Sequence, residues 1–382
     1  MSMRVTKFAI PEILFGRGSV QHLVPCARSL GAKTVFLVSD PGVESAGWLT
    51  QLRKQLHGAG LACVEFCEVN ANPRDHQVHK GAELYREAGA DVIIALGGGS
   101  PMDTAKGIGI VASNGRTIKD YEGANRIERP LPPMIFLPTT AGSGSDLSQF
   151  CIITDVSRKL KISIISRSLI PNISIIDPDF LSSKSTSLIV DSAIDALAHA
   201  IESFISRATS PFTENQARLA LALWRDNIDN ANKTRSPTAL ENLSLSSAAA
   251  GMSFSNAGLG AGHALAHALG GRLDLRHGMM HSILLPAVMR YNSSHCLPKL
   301  MEVMSILYPD EGFAGETDVL KGIEHLEAHF SYLGVPIKLR DVLPDKSALP
   351  EVCEAAVHDA CMITNPRPAN TEDLLGICEE AW

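Results

Sequence analysis

Residues 195–202 read DALAHAIE, and residues 263–278 read HALAHALGGRLDLRHG. Both stretches have helical spacing and are rich in Ala and Leu, yet they carry ionisable side chains. Asp195 and His199 are four residues apart, which puts them one turn apart on one helix face. His263 and His267 repeat that spacing, and His277 follows. One carboxylate with several imidazoles is a donor set of intermediate softness that suits Fe(II), Zn(II), Co(II) or Ni(II). Asp195, His199, His263 and His277 are therefore candidate metal ligands. His267 is then spare, placed to bind substrate or to relay a proton near neutral pH. The other reading is that these histidines satisfy backbone carbonyls in a helical core. His325 and His329 show the same spacing among charged residues and read as a solvated helix face; His76 and His79, near a turn, read likewise. Spacing alone is thus weak. The metal reading rests on five potential ligands gathered in two apolar, Ala/Gly-rich segments.

Two kinds of element would have to position these groups. In the first half of the chain, apolar runs alternate with helical patterns. The runs at 33–40, 61–69, 91–100 and 133–146 read as strands, and those at 48–60 and 78–90 as helices. That alternation predicts a parallel sheet covered by helices. After about residue 185 the segments are helical in period, and few strands suggest themselves. The expected organisation is an α/β domain over 1–184 and an all-α domain over 185–382, with the cleft between them as the ligand site.

GGGSPMDTAK (97–106) follows an apolar run and opens a helix. Glycines let the backbone approach a ligand, and the N–H groups of a helix start attract phosphate. Pro101 suits the first turn, with Ser100 as the expected N-cap. The pattern is neither G-x-G-x-x-G nor a Walker loop, because Lys106 is wrongly spaced. A purely structural tight turn fits it equally. Asp40, ending a strand before a Pro-Gly pair, could accept hydrogen bonds from ribose hydroxyls and would repel a 2′-phosphate, favouring NAD over NADP. It precedes the glycines rather than following them, so a dinucleotide fold here would be a Rossmann-like variant. A plain turn role for Asp40 is the alternative.

The 382 residues carry 41 acidic and 34 basic side chains, a net charge of −7, and no basic run, which argues against nucleic acid. No stretch reaches membrane-spanning length, and the opening residues lack a signal-peptide core, so a cytoplasmic protein is expected. The eight cysteines form no CxxC pair and read as reduced, mostly buried thiols.

Taken together, the motifs resemble the iron-containing (group III) alcohol dehydrogenases over nearly the whole chain. KFAIPEILFGRGS (7–19) is similar to that family's opening strand, GGGSPMDTAK to its pyrophosphate loop, and TTAGSGSD (139–146) to its nicotinamide-side loop, with Asp146 for the usual acid. DALAHAIESFIS, GLGAGHALAHALGGRLDLRHG and NPRPAN (365–370) are similar to its later signatures. The resemblance implies an NAD- and metal-dependent dehydrogenase of small alcohols, running in reverse as an aldehyde reductase. It implies one divalent ion, usually Fe2+ and sometimes Zn2+, on Asp195, His199, His263 and His277. It implies an NAD site lined by Asp40, Asn72, Gly97, Gly98, Gly99, Ser100, Thr139, Thr140, Ser143 and Lys161, with His267 as a catalytic non-ligand imidazole. It also implies a homodimer or larger assembly. The sequence departs from the family where HGMMHSILLP places His281 at a frequent Asn. His281 lies either at the surface or behind the ligands, or it faces the cleft and favours a more polar substrate. Three other functions share parts of the pattern: a Zn-dependent glycerol-dehydrogenase-like enzyme, a dehydroquinate-synthase-like lyase, and a non-catalytic binding protein. The lyase needs a basic pocket, and only Arg272 and Arg276 lie near the metal segments.

Overall fold

The most apolar runs of the first half form central strands with both faces covered. In the computed structural model, which describes residues 6–382, the elements run as follows. The N-terminal part holds β1 (Glu12–Phe15), α1 (Leu23–Ser29), β2 (Thr34–Val38), α2 (Pro41–Ser45), α3 (Trp48–Gly58), β3 (Ala62–Phe66), α4 (Asp75–Glu87), β4 (Val92–Gly97) and α5 (Gly99–Asn114). It continues through β5 (Gly123–Ala124), β6 (Met134–Pro138), β7 (Phe150–Asp155), β8 (Leu160–Ile165) and β9 (Ile173–Ile176). Six strands form one parallel sheet in the order β1-β9-β6-β4-β2-β3. β4 and β6 are buried along their whole length, as strands sandwiched by helices must be. Alternate residues feed two cores: Phe36, Val38, Ile93 and Ala95 on one face, Val35, Leu37, Ile94 and Leu96 on the other.

The chain visits β2 and β3, then crosses to the other side of β2 to build β4, β6 and β9. The strand order therefore reverses between β2 and β4. In open α/β sheets the carboxyl ends at such a reversal form the ligand crevice. A second, three-stranded sheet, β5-β8-β7, contains an antiparallel β7–β8 hairpin. The alternation read from the sequence does not separate this hairpin, because its turn has neither Gly nor Pro; Lys159 instead takes a left-handed φ of 53°.

The C-terminal part contains no strand among the described residues. Its helices are α6 (Thr186–Ile205), α7 (Pro211–Thr234), α8 (Pro237–Ala257), α9 (Ala261–Leu273), α10 (His277–Leu307), α11 (Glu316–Tyr332), α12 (Leu349–Val357) and α13 (Thr371–Glu380). Every residue of α6 from Ile189 to Ile205 is buried. A helix buried all round is a central one, so whatever polar groups it carries must find partners inside. α10 kinks at Cys296, where φ is −141°, two residues before Pro298. The chain divides into two compact units, Ile10–Lys184 and Ser185–Trp382, and the stretch ending at Ala9 belongs with the second. Ala9 fixes it there: its N–H donates to Asn256 Oδ1 at 2.8 Å, and its carbonyl accepts from Asn256 Nδ2 at 3.1 Å. No helix among the described residues is long and apolar enough to cross a membrane.

Candidate active site

α6 delivers Asp195 and His199, α9 delivers His263 and His267, and the first turn of α10 delivers His277 and His281. Asp195 Oδ1 is the hub. His281 Nε2 lies 3.3 Å from it, His277 Nε2 3.6 Å, His263 Nε2 3.8 Å and His199 Nδ1 3.9 Å. None of these approaches has hydrogen-bonding geometry, and Asp195 Oδ1 and His263 Nε2 are buried with no hydrogen-bond partner. A carboxylate oxygen stranded in a dry interior is costly unless a cation completes it. Metal–ligand bonds of about 2.0–2.2 Å put neighbouring donors on the order of 3–3.5 Å apart, so these separations fit a shared ion better than direct bonds. His277, with its side chain 26% exposed, opens the cluster to solvent; the Asp195, His199, His263 and His281 side chains are 7% exposed or less.

The electrostatics agree. Burial works against the charge of Asp195, but the surrounding imidazoles, His199 and His277 foremost, hold its carboxyl well below the usual range. Burial lowers His263, yet the Glu202 charge beside it outweighs that and carries it up to about 9. Burial, reinforced by the charge of His263, pushes His281 well down.

Around the cluster sit carboxylates that orient it. Glu202, two turns beyond Asp195 on α6, accepts from Gly262 N at 2.8 Å and His263 N at 3.3 Å, and bonds His263 Nδ1. Held at Nδ1 by Glu202, His263 turns Nε2 toward Asp195, where loss of the Nε2 proton would expose a lone pair to an ion. Asn365 completes the start of α9: its Oδ1 accepts from Ala261 N at 3.0 Å. Glu202 and Asn365 thus satisfy three of the orphan donors at this helix end, where the N-cap Gly260 has no side chain to do so. His267 is held in the same fashion by Asp359, whose Oδ2 is 2.9 Å from His267 Nδ1. Burial opposes the charge of Asp359, but His267 next to it keeps the carboxyl below the ordinary range. His267 stacks on His277, with ring centroids 5.3 Å apart.

Most of the expected coenzyme residues lie in the other unit at the carboxyl ends of β2, β4 and β6; Asn72 and Lys161 lie elsewhere in it. Asp40 follows β2 and N-caps α2, its Oδ1 accepting from Val43 N at 3.0 Å. Its Oδ2 lies against Gly97, where an added Cβ would come within 3.1 Å of it and within 2.5 Å of Pro101 Cγ. Gly97 also holds φ at +157°, so the end of β4 admits only glycine. A Cβ on Gly98 would touch Thr140 at 3.4 Å, and one on Gly99 would press on Ser143 at 3.0 Å. Thr139 N donates to Gly97 O at 2.8 Å, which draws the 139–143 loop onto the glycines. Asp40, Gly97, Gly98, Gly99, Thr140 and Ser143 therefore form one surface of bare backbone and small hydroxyls at the head of α5. Asn72, at φ 55°, precedes α4, and Lys161 lies on β8 opposite Thr154. Ser100 is not the N-cap: Gly98 holds that position, and Ser100 is already the second residue of α5. Extended backbone at Gly98 is what lets the helix begin one residue after β4.

Lys106 has a different use. Its ammonium is fully buried and donates to Phe150 O at 2.6 Å and Ser148 O at 3.0 Å, pinning α5 to the start of β7. Of the two histidine pairs read as solvated faces, His325 is exposed beside Glu311, but His329 packs edge-on against Trp224 and bonds Asp229 at 2.8 Å. His76 is exposed, while His79 accepts from Ile118 N at 3.4 Å. The eight cysteines are all free thiols. Sequence reasoning passed over Glu202 and Asp359. Glu202 had a signal, since it lies three residues after His199 on the same face. Asp359 had none, being 92 residues from the imidazole it holds.

Comparison with known proteins agrees with both units. Residues 11–178 match the family profile described as iron-containing alcohol dehydrogenase, and residues 189–382 the one described as Fe-containing alcohol dehydrogenase family, C-terminal. A 1,3-propanediol dehydrogenase of Citrobacter freundii is 34% identical over 100% of both chains. An NAD-dependent methanol dehydrogenase of Bacillus methanolicus is 31% identical, over 99% of this chain and 100% of its own. Among solved structures, an alcohol dehydrogenase from Oenococcus oeni superposes with a TM-score of 0.95 at 31% identity, covering 99% of this chain and 100% of that one.

Proposed function

Because the chain belongs to the iron-containing alcohol dehydrogenase family, we propose that it oxidises a small alcohol or diol with NAD, and reduces the matching aldehyde in reverse, at a divalent ion on α6, α9 and α10. The ion's ligands are Asp195, His199, His263 and His277, and Fe2+ is the expected metal. The coenzyme lies on the unit Ile10–Lys184, against Asp40, Asn72, Gly97, Gly98, Gly99, Ser100, Thr139, Thr140, Ser143 and Lys161. The helical residues 185–382 carry the chemistry. The protein works in the cytoplasm as a homodimer or larger assembly.

The observation that carries this reading is the bare Asp195 Oδ1 ringed by imidazole nitrogens at 3.3 to 3.9 Å. A divalent ion there supplies Lewis-acid polarisation of the substrate oxygen, and NAD supplies the hydride acceptor. The chain does the rest. Asp195 brings the one negative charge, so the ion keeps a net positive charge. Glu202 holds the proton of His263 on Nδ1 and leaves Nε2 as a donor pair. Asp359 holds His267 by Nδ1, which leaves His267 Nε2 to take the hydroxyl proton as an alcohol is oxidised and to return it to an aldehyde. Bare glycine backbone at the head of α5 gives a pyrophosphate unobstructed N–H groups and a helix start. The Asp40 carboxylate offers acceptors to ribose hydroxyls.

The test is an anaerobic assay on chelator-stripped protein, following NADH loss with a panel of short aldehydes and hydroxyaldehydes after adding Fe(II), Zn(II) or nothing. Activity restored by Fe(II) is expected. Protein that binds NADH yet consumes none with any metal and any carbonyl would sink the proposal.

A further inference from the structure

His281 occupies a position that the four-ligand reading leaves without a role. It lies four residues after His277, so α10 presents both imidazoles on one face. It is fully buried, and its Nε2 is nearer to Asp195 Oδ1, at 3.3 Å, than His277 Nε2 at 3.6 Å, His263 Nε2 at 3.8 Å or His199 Nδ1 at 3.9 Å. The same Nε2 is 3.5 Å from His277 Nε2, and the ring centroid is 4.1 Å from that of His263. A histidine buried for structure bonds a carbonyl or hydroxyl. Nδ1 of His281 has no hydrogen-bond partner, and Nε2 points at other metal donors. Donor atoms of Asp195, His263, His277 and His281 all lie within 4.8 Å of one another. His199 stands outside that mutually close set, although its Nδ1 is 3.9 Å from Asp195 Oδ1.

Building on the metal site proposed above, we propose that His281 is a fifth protein ligand of the ion. One carboxylate and four imidazoles then leave a single open position on a six-coordinate ion, enough for one substrate oxygen. A site of this kind favours ions at ease with six ligands, such as Fe(II), Co(II) or Ni(II). It disfavours Zn(II), which prefers four. His281 would thereby set which metal the enzyme uses, rather than which alcohol.

The experiment loads the metal-stripped, full-length wild-type protein anaerobically with Co(II) and counts the hyperfine-shifted imidazole resonances after labelling histidine with 15N. Four coordinated imidazoles are expected. In His281→Asn one of the four should vanish, Co(II) affinity should fall by roughly tenfold or more, and the preference for Co(II) over Zn(II) should shrink. Three resonances in the wild type, with Co(II) affinity unchanged in His281→Asn, overturn the fifth ligand while leaving the metal site intact. No shifted resonances at all, or full Co(II) binding by His263→Ala, overturn the metal site and this proposal with it. The wild-type count does not depend on whether the variant folds.

Discussion

Two helices of this molecule carry buried charge, and they treat it in opposite ways. On α5, Asp103 and Lys106 are buried together. Lys106 Nζ reaches two carbonyls and the hydroxyls of Ser145 and Ser148, and Asp103 accepts from Ser145 Oγ and from Ile152 N at 3.1 Å. Burial pushes Lys106 down and Asp103 up, but every polar atom has a partner. On α6, Asp195 is just as deep and its Oδ1 has none, although four imidazoles stand within 3.9 Å. Burial and charge are common to both. What separates them is completion: the first network is closed by the protein, while the second leaves Asp195 Oδ1 without a partner, as the proposed metal site would require.

Substitutions should split along that line. His263→Ala should remove the ion and lower kcat/KM by on the order of a thousandfold, about 4 kcal/mol of transition-state stabilisation. Metal content by elemental analysis and steady-state rates check it, and a variant that keeps its metal would break the comparison. Lys106→Met should do the reverse, leaving metal content unchanged and costing roughly 3–5 kcal/mol in urea unfolding, since Asp103 loses its counter-charge in a dry site. His267→Ala should keep the ion but lose about a hundredfold in rate, with the pH profile flattened near neutrality, and Asp359→Asn should show a milder form of the same change.

Asp155 offers a third buried carboxylate, closed like the first. Burial opposes its charge, but hydrogen bonds from Lys119 at 2.7 Å, Ser157 and Arg158 hold its carboxyl below the ordinary range. A depressed folded value means stability that is present above the unfolded value, about 3.9, and lost as the pH falls below it. Asp155→Asn should therefore cost about 1–3 kcal/mol at pH 7, with the gap to wild type closing as urea melts are repeated from pH 5 down to pH 3. The smallest effect should come from Asp40→Gly. Glycine still tolerates the N-cap position, so stability should change by a few tenths of a kcal/mol. The preference for NAD over NADP should narrow by about tenfold as the acceptors for ribose are lost.

The candidate metal cluster was partly legible in the sequence because its ionisable residues recur four apart in two apolar helical segments, Asp195 with His199 and His263 with His267. Spacing four apart fixes two side chains on a face before any tertiary structure is known. The strand-and-glycine plan of the first half was legible for a similar reason: an apolar run followed by GGGSP admits few other conformations. What escaped is what depends on folding across distance. Asp359 meets His267 only because the segment after α12 returns to α9. Ser100 was the natural cap by residue type, but the extended backbone of Gly98 starts the helix earlier. His329 looks solvated in its own helix, and only α7 supplies the Trp224 and Asp229 that cover it. His281 could not be placed between surface and interior, because α10 has Pro286 and Pro298 within it and its faces do not follow a simple amphipathic period.

The glycines before His263 have a consequence for how this chain can vary. A methyl group on Gly262 would meet Glu202 Oε1 at 2.9 Å, and one on Gly260 would meet Asn365 Oδ1 at 2.6 Å. These positions are glycine for want of room, since two side chains from distant segments have taken the space beside the backbone. In a randomised library, positions 202, 260, 262 and 365 should behave as one inherited block. Variants accepting a larger residue at 260 or 262 should survive only with a compensating change at 202 or 365, and single changes should disappear together with the metal.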